Sequence, residues 1–184
     1  MKKLILTTLQ FLSTSFIALG QLSIAQITGC SIKQDTIIYW SAKEKPTKFT
    51  YYIQQFRWNK WITWDSVASQ NSNDTSKYNY KVSKFIHTGP NQFRIKARNN
   101  TPKTVISQTV TFKTKEESNF FTLKGHYTYY IKNPVTFKRN TFYELYNKDG
   151  TRLKSGYGQS FFINDLPSDI YYLNFDNKMT EIIP

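Results

Sequence analysis

The chain has 184 residues and a formal net charge of +13, and Phe, Tyr and Trp make up 17% of it. That length allows one or two small domains, and a single cysteine excludes an internal disulfide. The excess of Lys and Arg points to acidic partners, while plentiful Phe, Tyr, Thr and Asn suit pleated strands better than helices.

Residues 1–25 read as a secretory signal peptide. Lys2 and Lys3 form its positive end, residues 4–19 are mainly apolar, and Ser23 and Ala25 are the small residues before a cleavage point. The stretch is too short and too polar for a good membrane span. Cleavage after Ala25 leaves Gln26 first, with 23 basic and 12 acidic residues and a net charge of +11. An exported chain with no nucleic-acid motif is not expected to bind nucleic acid. Anionic lipid, lipopolysaccharide, an acidic glycan or an acidic protein surface fits better. Ile27-Thr28-Gly29-Cys30 would also pass as a lipobox with Cys30 lipidated. Gln21 and Gln26 separate it from the apolar run, so a free thiol is the preferred reading. Nothing after Ala25 is apolar for long enough to cross a membrane, so the mature chain is expected in the periplasm or against the outer membrane. The cell surface or the medium is the alternative.

Period-two patterning then predicts strands over 36–40, 49–56, 61–67, 77–84, 92–98 and 105–112. In the fifth of these, Phe93, Ile95 and Ala97 alternate with Arg94, Lys96 and Arg98, giving one dry and one cationic face. Turn signals fall at Lys45-Pro46, at 71–74, at Gly89-Pro90 and at 99–102. Residues 114–119 (TKEESN) hold no apolar side chain and read as a linker. Strands follow over 120–123, 127–131, 141–146, 152–154, 160–163, 170–175 and 179–183. Asn147 to Gly150 (NKDG) between them is a hairpin turn, because Asp-Gly tolerates positive φ. The expected fold is all-β: an immunoglobulin- or fibronectin III-like sandwich over 26–113, and a second small β-sandwich over 120–184.

Two resemblances sharpen this. Trp40, YYIQQF at 51–56 and NQFRIKARN at 91–99 resemble the core tryptophan, third strand and sixth strand of a fibronectin type III module. Asn91 stands where that family's corner tyrosine would be. ELYNKDGTRLKSGYG at 144–158, FINDLPSDIYYLNF at 162–175 and Asn133-Pro134 resemble the C-terminal sorting domains of type IX secretion cargo. Asp169 replaces a glycine of that pattern and the chain ends EIIP without terminal basic residues. The resemblance therefore implies the fold more than the sorting signal. It also implies a place in type IX secretion as a small cargo or adhesin, whereas the small size, the positive charge and the lack of an effector domain point to an accessory subunit of the outer-membrane machinery.

Catalytic chemistry is not expected. His87 and His126 read as surface residues in different modules, which make a poor metal site. Cys30 has no neighbouring base, and Glu116-Glu117 in the linker reads as a solvated charge run rather than a glycosidase pair. Asp149 and Asp165 read as turn caps, and no cofactor loop is present. Binding has better candidates. Trp58, Lys60, Trp61 and Trp64 cluster around Asn59-Lys60, read as a hairpin turn, and could anchor a protein interface or stack on sugars. Arg94, Lys96 and Arg98 form a cationic face suited to an acidic protein surface or lipopolysaccharide. The expected function is that of a non-enzymatic, extracytoplasmic protein–protein interaction module.

Overall fold

The computed structural model describes residues 26–33, 36–44, 48–72, 74–100, 102, 104–114, 119–123 and 134–183. The signal peptide, the strand at 127–131, His126, Asn133 and most of the linker lie outside the described residues. Eight strands form the N-terminal part: β1 (Gln26–Lys33), β2 (Ile37–Lys43), β3 (Thr50–Arg57), β4 (Lys60–Ala68), β5 (Thr75–Lys81), β6 (Gly89–Arg98), β7 (Thr104–Ile106) and β8 (Val110–Thr114). They pair antiparallel in two sheets, one ordered β1-β2-β5 and one ordered β4-β3-β6-β7 with β8 also on β6. This is the two-sheet architecture of fibronectin type III modules.

Alternation builds the core between these sheets. Ile38, Trp40 and Ala42 of β2, Tyr51 and Ile53 of β3, and Phe93, Ile95 and Ala97 of β6 all point inward and are buried. Trp40 stacks on Tyr78 with ring centroids 5.1 Å apart and meets the edge of Tyr51 at 6.0 Å. Glu44 is buried at the end of this cluster. It accepts hydrogen bonds from the Tyr51 hydroxyl at 2.7 Å, from Tyr78, from the Ser72 amide at 3.1 Å and from the Ser76 hydroxyl at 3.2 Å. Burial alone raises its pKa, but those donors outweigh burial and hold it below the usual carboxylate value.

Three features differ from the sequence reading. The predicted strand 77–84 ends at Lys81, and a 3-10 turn follows over Ser83–Phe85, whose Phe85 is buried. β1 is a full strand across β2, over residues that the sequence alone reads as the start of the mature chain. The predicted strand 105–112 is two strands, because the Ser107 hydroxyl takes the Ile95 amide at 2.9 Å in place of a ladder carbonyl.

The C-terminal part is one five-stranded antiparallel sheet made of β9 (Phe121–Leu123), β10 (Pro134–Tyr146), β11 (Arg152–Phe162), β12 (Tyr171–Phe175) and β13 (Lys178–Ile182). The long β10 pairs β9 near its start and β12 near its end, with β11 along its other edge and a register shift between Thr136 and Thr141. Val135, Phe137 and Leu145 of β10 form a second core with Phe161, Leu173, Phe175 and Ile182.

β11 runs unbroken where two short strands, over 152–154 and 160–163, were expected. Gly156 is a packing requirement there: it faces Tyr143 across the ladder, and an added Cβ would stand 2.8 Å from the Tyr143 hydroxyl. In the NKDG turn only Gly150 takes positive φ, at 77°. The side chain that caps this turn is Asn147, which accepts from the amides of Asp149 at 3.1 Å and Thr151 at 2.8 Å. Asp149 is therefore not the cap. Asp169 likewise needs no unusual backbone angle; its carboxylate accepts the Ile170 amide at 2.8 Å.

Candidate interaction site

The β3–β4 hairpin turns one residue earlier than its sequence suggests. Arg57 pairs with Lys60, and the two central residues are Trp58 (φ 52°) and Asn59 (φ 59°). Positive φ at both positions is the twist-matched hairpin turn, but a bulky aromatic residue seldom adopts it. Two contacts hold Trp58 there. Its amide donates to the Asn177 carbonyl oxygen of the side chain at 3.1 Å, and the Arg57 guanidinium lies 4.9 Å from its ring centre. Asn177 and Asp176 form the β12–β13 turn, so two hairpin tips meet.

Arg57 is the centre of that meeting. It continues the inward phase of Tyr51, Ile53 and Gln55 to the end of β3, and only 1% of it is exposed. Its Nε donates to the Asp176 main-chain carbonyl, and its Nη2 lies 4.0 Å from the Asp176 carboxylate. Asp176 also accepts from the Asn119 amide at 3.2 Å and the Thr141 hydroxyl at 3.1 Å, and pairs with Arg139 at 3.6 Å. Burial pulls the Arg57 pKa down to about 10, with Asp176 and Glu144 opposing it. The group stays charged at neutral pH.

Around this pair the C-terminal sheet completes the N-terminal core. A β-bulge opposite Ile53 and Gln54 gives β4 one extra residue, Trp64. Trp64 stacks on Phe85 at 5.1 Å and packs against Phe142 of β10 at 4.3 Å, and its indole donates to Gln55 at 2.8 Å. Lys60 reaches Glu144 at 2.9 Å and the Tyr146 hydroxyl at 3.1 Å. Glu144 is also paired with Arg152 at 3.2 Å. Burial raises the Glu144 pKa, but the donors from Tyr146, Lys60 and Arg152 outweigh it and leave it lowered.

The predicted binding residues thus divide between two places. Trp58, Lys60 and Trp64 lie at the junction with the C-terminal sheet. Trp61, Arg94, Lys96 and Arg98 lie on the outer face of the larger N-terminal sheet. There the Arg94 guanidinium stacks 3.9 Å above the Trp61 ring, Phe56 packs on Trp61 at 5.4 Å, and Arg94 Nε donates to Gln54 at 2.9 Å. Gln54 in turn donates to Thr63 at 3.0 Å. Tyr52 stands opposite Lys96 on the same face. Cys30 sits within β1 opposite Trp40 in the ladder.

Histidine placement corrects the sequence reading. His87 is fully buried, because Asn91 draws the chain before β6 into the protein. The Asn91 side chain accepts from the His87 amide at 3.1 Å and from Gln55 at 3.0 Å, and donates to the carbonyls of His87 at 2.8 Å and Gly89 at 3.0 Å. This buried amide braces the entry of the chain into β6. Burial, with repulsion from Arg57 and only partial relief from the Thr88 carbonyl, takes the His87 pKa down to about 4. Sequence reasoning missed Arg57, Asp176, Glu144 and Phe142. Arg57 left a signal, since it is in phase with the apolar face of β3.

Among the described residues no group of three His, Cys, Asp or Glu side chains could hold a metal ion, and no helix is long and apolar enough to cross a membrane. No protein-family model matches the chain, and no curated protein does. Among solved structures, the chain is similar to the FN1–FN3 domains of chicken CNTN1, with 13% identity over 86% of this chain and a TM-score of 0.29. The matched part spans 65% of that structure's length.

Proposed function

We propose that this chain is a non-enzymatic interaction module of the cell envelope, acting as an accessory protein of type IX secretion. The observation that carries the reading is the outer sheet face, where Arg94 stacks on Trp61 at 3.9 Å with Phe56, Tyr52 and Lys96 on the same side. Aromatic residues and Arg are the side chains most enriched at the centres of protein interfaces. Stacking also holds the Arg94 guanidinium in place before a partner arrives, so less conformational freedom is lost on binding. The cationic rim of Lys96 and Arg98 selects an acidic partner surface. The type IX assignment rests on the resemblance of residues 120–184.

The test is affinity purification of an internally tagged protein from its own envelope, followed by mass spectrometry. Co-purification with an outer-membrane export barrel in near-equal amounts, lost in Trp61→Ala/Arg94→Glu and weakened by salt, is the expected result. Recovery of the protein alone from the cell surface or medium makes it a cargo or adhesin instead. Removing residues 120–184 is a poor way to separate these roles, because Phe142 packs against the N-terminal core. The location of the full chain in cells lacking the export barrel is the cleaner readout: cargo accumulates in the periplasm, while a subunit keeps its location.

A further inference from the structure

The smaller N-terminal sheet turns a lysine-rich face to solvent. Ile38, Trp40 and Ala42 of β2 are buried, so alternation sends Ile37, Tyr39, Ser41 and Lys43 to the opposite face. Ladder register sets their neighbours: Lys33 of β1 and Lys81 of β5 flank Ile37, and Lys77 of β5 stands beside Ser41. All four lysines are exposed, and the outward residues of the three strands include no Asp or Glu among the described residues. None of the four ammonium groups has an ion pair or hydrogen bond among the described residues; Lys33 alone has a contact, 5.6 Å above the Tyr39 ring centre. Between them is a shallow hollow of about 340 Å³, with Gly29, Ser31, Tyr39 and Lys77 in its lining. Gly29 opens it, because it stands opposite Ser41 in the ladder and carries no side chain.

The ligand follows from charge, extent and residue type. The charge is of one sign and uncompensated, which suits an anion. With strands about 4.8 Å apart and about 3.3 Å per residue, the lysines spread over about 10 by 20 Å, more than one small anion can span. Lysine is depleted in protein interfaces while Arg and aromatic residues are enriched, whereas each Lys beside an anionic bilayer adds to binding. The Trp61–Arg94 face has the protein-binding composition; this one has the lipid-binding composition.

We propose that this face docks the protein on an anionic phospholipid bilayer. The four ammonium groups would lie among lipid phosphates. One phosphodiester would seat in the hollow, accepting from the Lys77 ammonium and the Ser31 hydroxyl. The two sheets of the sandwich pack face to face, so a protein docked this way holds the Trp61–Arg94 face away from the lipid and open to a protein partner. The two faces share no residue, so either reading can fail without the other.

The test is co-sedimentation of the purified protein with vesicles of phosphatidylcholine alone and of equal parts phosphatidylcholine and phosphatidylglycerol. Binding to the mixed vesicles only, falling as salt is raised, is the expected result. Lys33→Gln/Lys77→Gln should weaken it about twentyfold, each lysine contributing about fivefold, with an unchanged melting temperature. Lys48→Gln/Lys113→Gln removes the same charge from exposed lysines off this sheet and should weaken it no more than about twofold. No sedimentation with the mixed vesicles overturns the proposal. So does an equal loss in the two double variants, which would make binding a matter of net charge alone. If the vesicles stay unbound and Lys33→Gln/Lys77→Gln instead loses a protein captured from the envelope, the face is a protein interface and the proposal is overturned.

Discussion

Arg57 and Asp176 lie 119 residues apart in sequence, yet the Arg57 Nε–H ends on the Asp176 carbonyl oxygen. One closes β3 of the N-terminal sandwich, and the other opens the turn of the last hairpin. Removing one member of a buried pair leaves the other without compensation, which costs about 3–5 kcal/mol. Arg57→Ala should therefore lower the urea midpoint sharply. Arg57→Met, which fills much of the space and carries no charge, should still lose the carbonyl contact and leave Asp176 to Arg139, Thr141 and Asn119. A loss below about 1 kcal/mol in Arg57→Ala would mean that the two halves are not locked through this contact.

Stability should depend on pH through His87. The folded protein holds it at about 4 against an ordinary 6.5, so the unfolded chain takes up a proton that the folded one refuses. Stability is therefore complete above pH 6.5 and falls as the pH drops towards 4, by about 2 kcal/mol between pH 7 and pH 5. Carboxylates with lowered pKa values, such as Glu44 and Glu144, also lose stability on acidification, but only at and below the ordinary carboxylate range. Urea unfolding of His87→Gln at the two pH values isolates the effect, and its slope between them should be nearly flat.

Trp61 and Trp64, three residues apart, should respond in opposite ways. Trp64→Ala removes a ring wedged between Phe85 and Phe142 and should cost about 3 kcal/mol, with loss of cooperativity between the two cores in denaturant melts. Trp61→Ala lies on the outer face and should change stability by no more than about 1 kcal/mol. It should nonetheless abolish capture of the envelope partner.

Gly156→Ala should destabilise by about 1–3 kcal/mol, the range for overpacking. The new methyl would meet the Tyr143 ring, which cannot swing away because it is stacked on Phe161 at 4.1 Å. Tyr143→Leu in the same chain should recover part of that loss. Thermal melts of the two single variants and the double variant give the coupling directly, and simple additivity would show that the contact does not matter.

The strand content was legible because alternation is local: the inward set Phe93, Ile95 and Ala97 and the outward set Arg94, Lys96 and Arg98 follow from the pleat alone. Trp40 as a core residue and Gly150 as a positive-φ residue were legible for similar reasons, each fixed by its immediate neighbours. The pairing of Trp61 with Arg94 was half legible, since each was a candidate separately but only the β4-β3-β6 order brings them onto one face.

What the sequence by itself determined, then, is a set of amphipathic strands, their turns and the surplus of positive charge. The tertiary structure alone decided which face of the β3–β4 hairpin meets the C-terminal sheet. It buried His87 behind Asn91, gave Arg57 a carbonyl and a carboxylate from the far end of the chain, and separated Trp58 and Trp64 from Trp61. The physical reason is that a side chain's phase in its own strand is set by neighbours two residues away, whereas its partner is set by strand order and by a single bulged residue, Trp64. A shift of one residue exchanges the faces of a strand, and no local pattern reports where that shift falls.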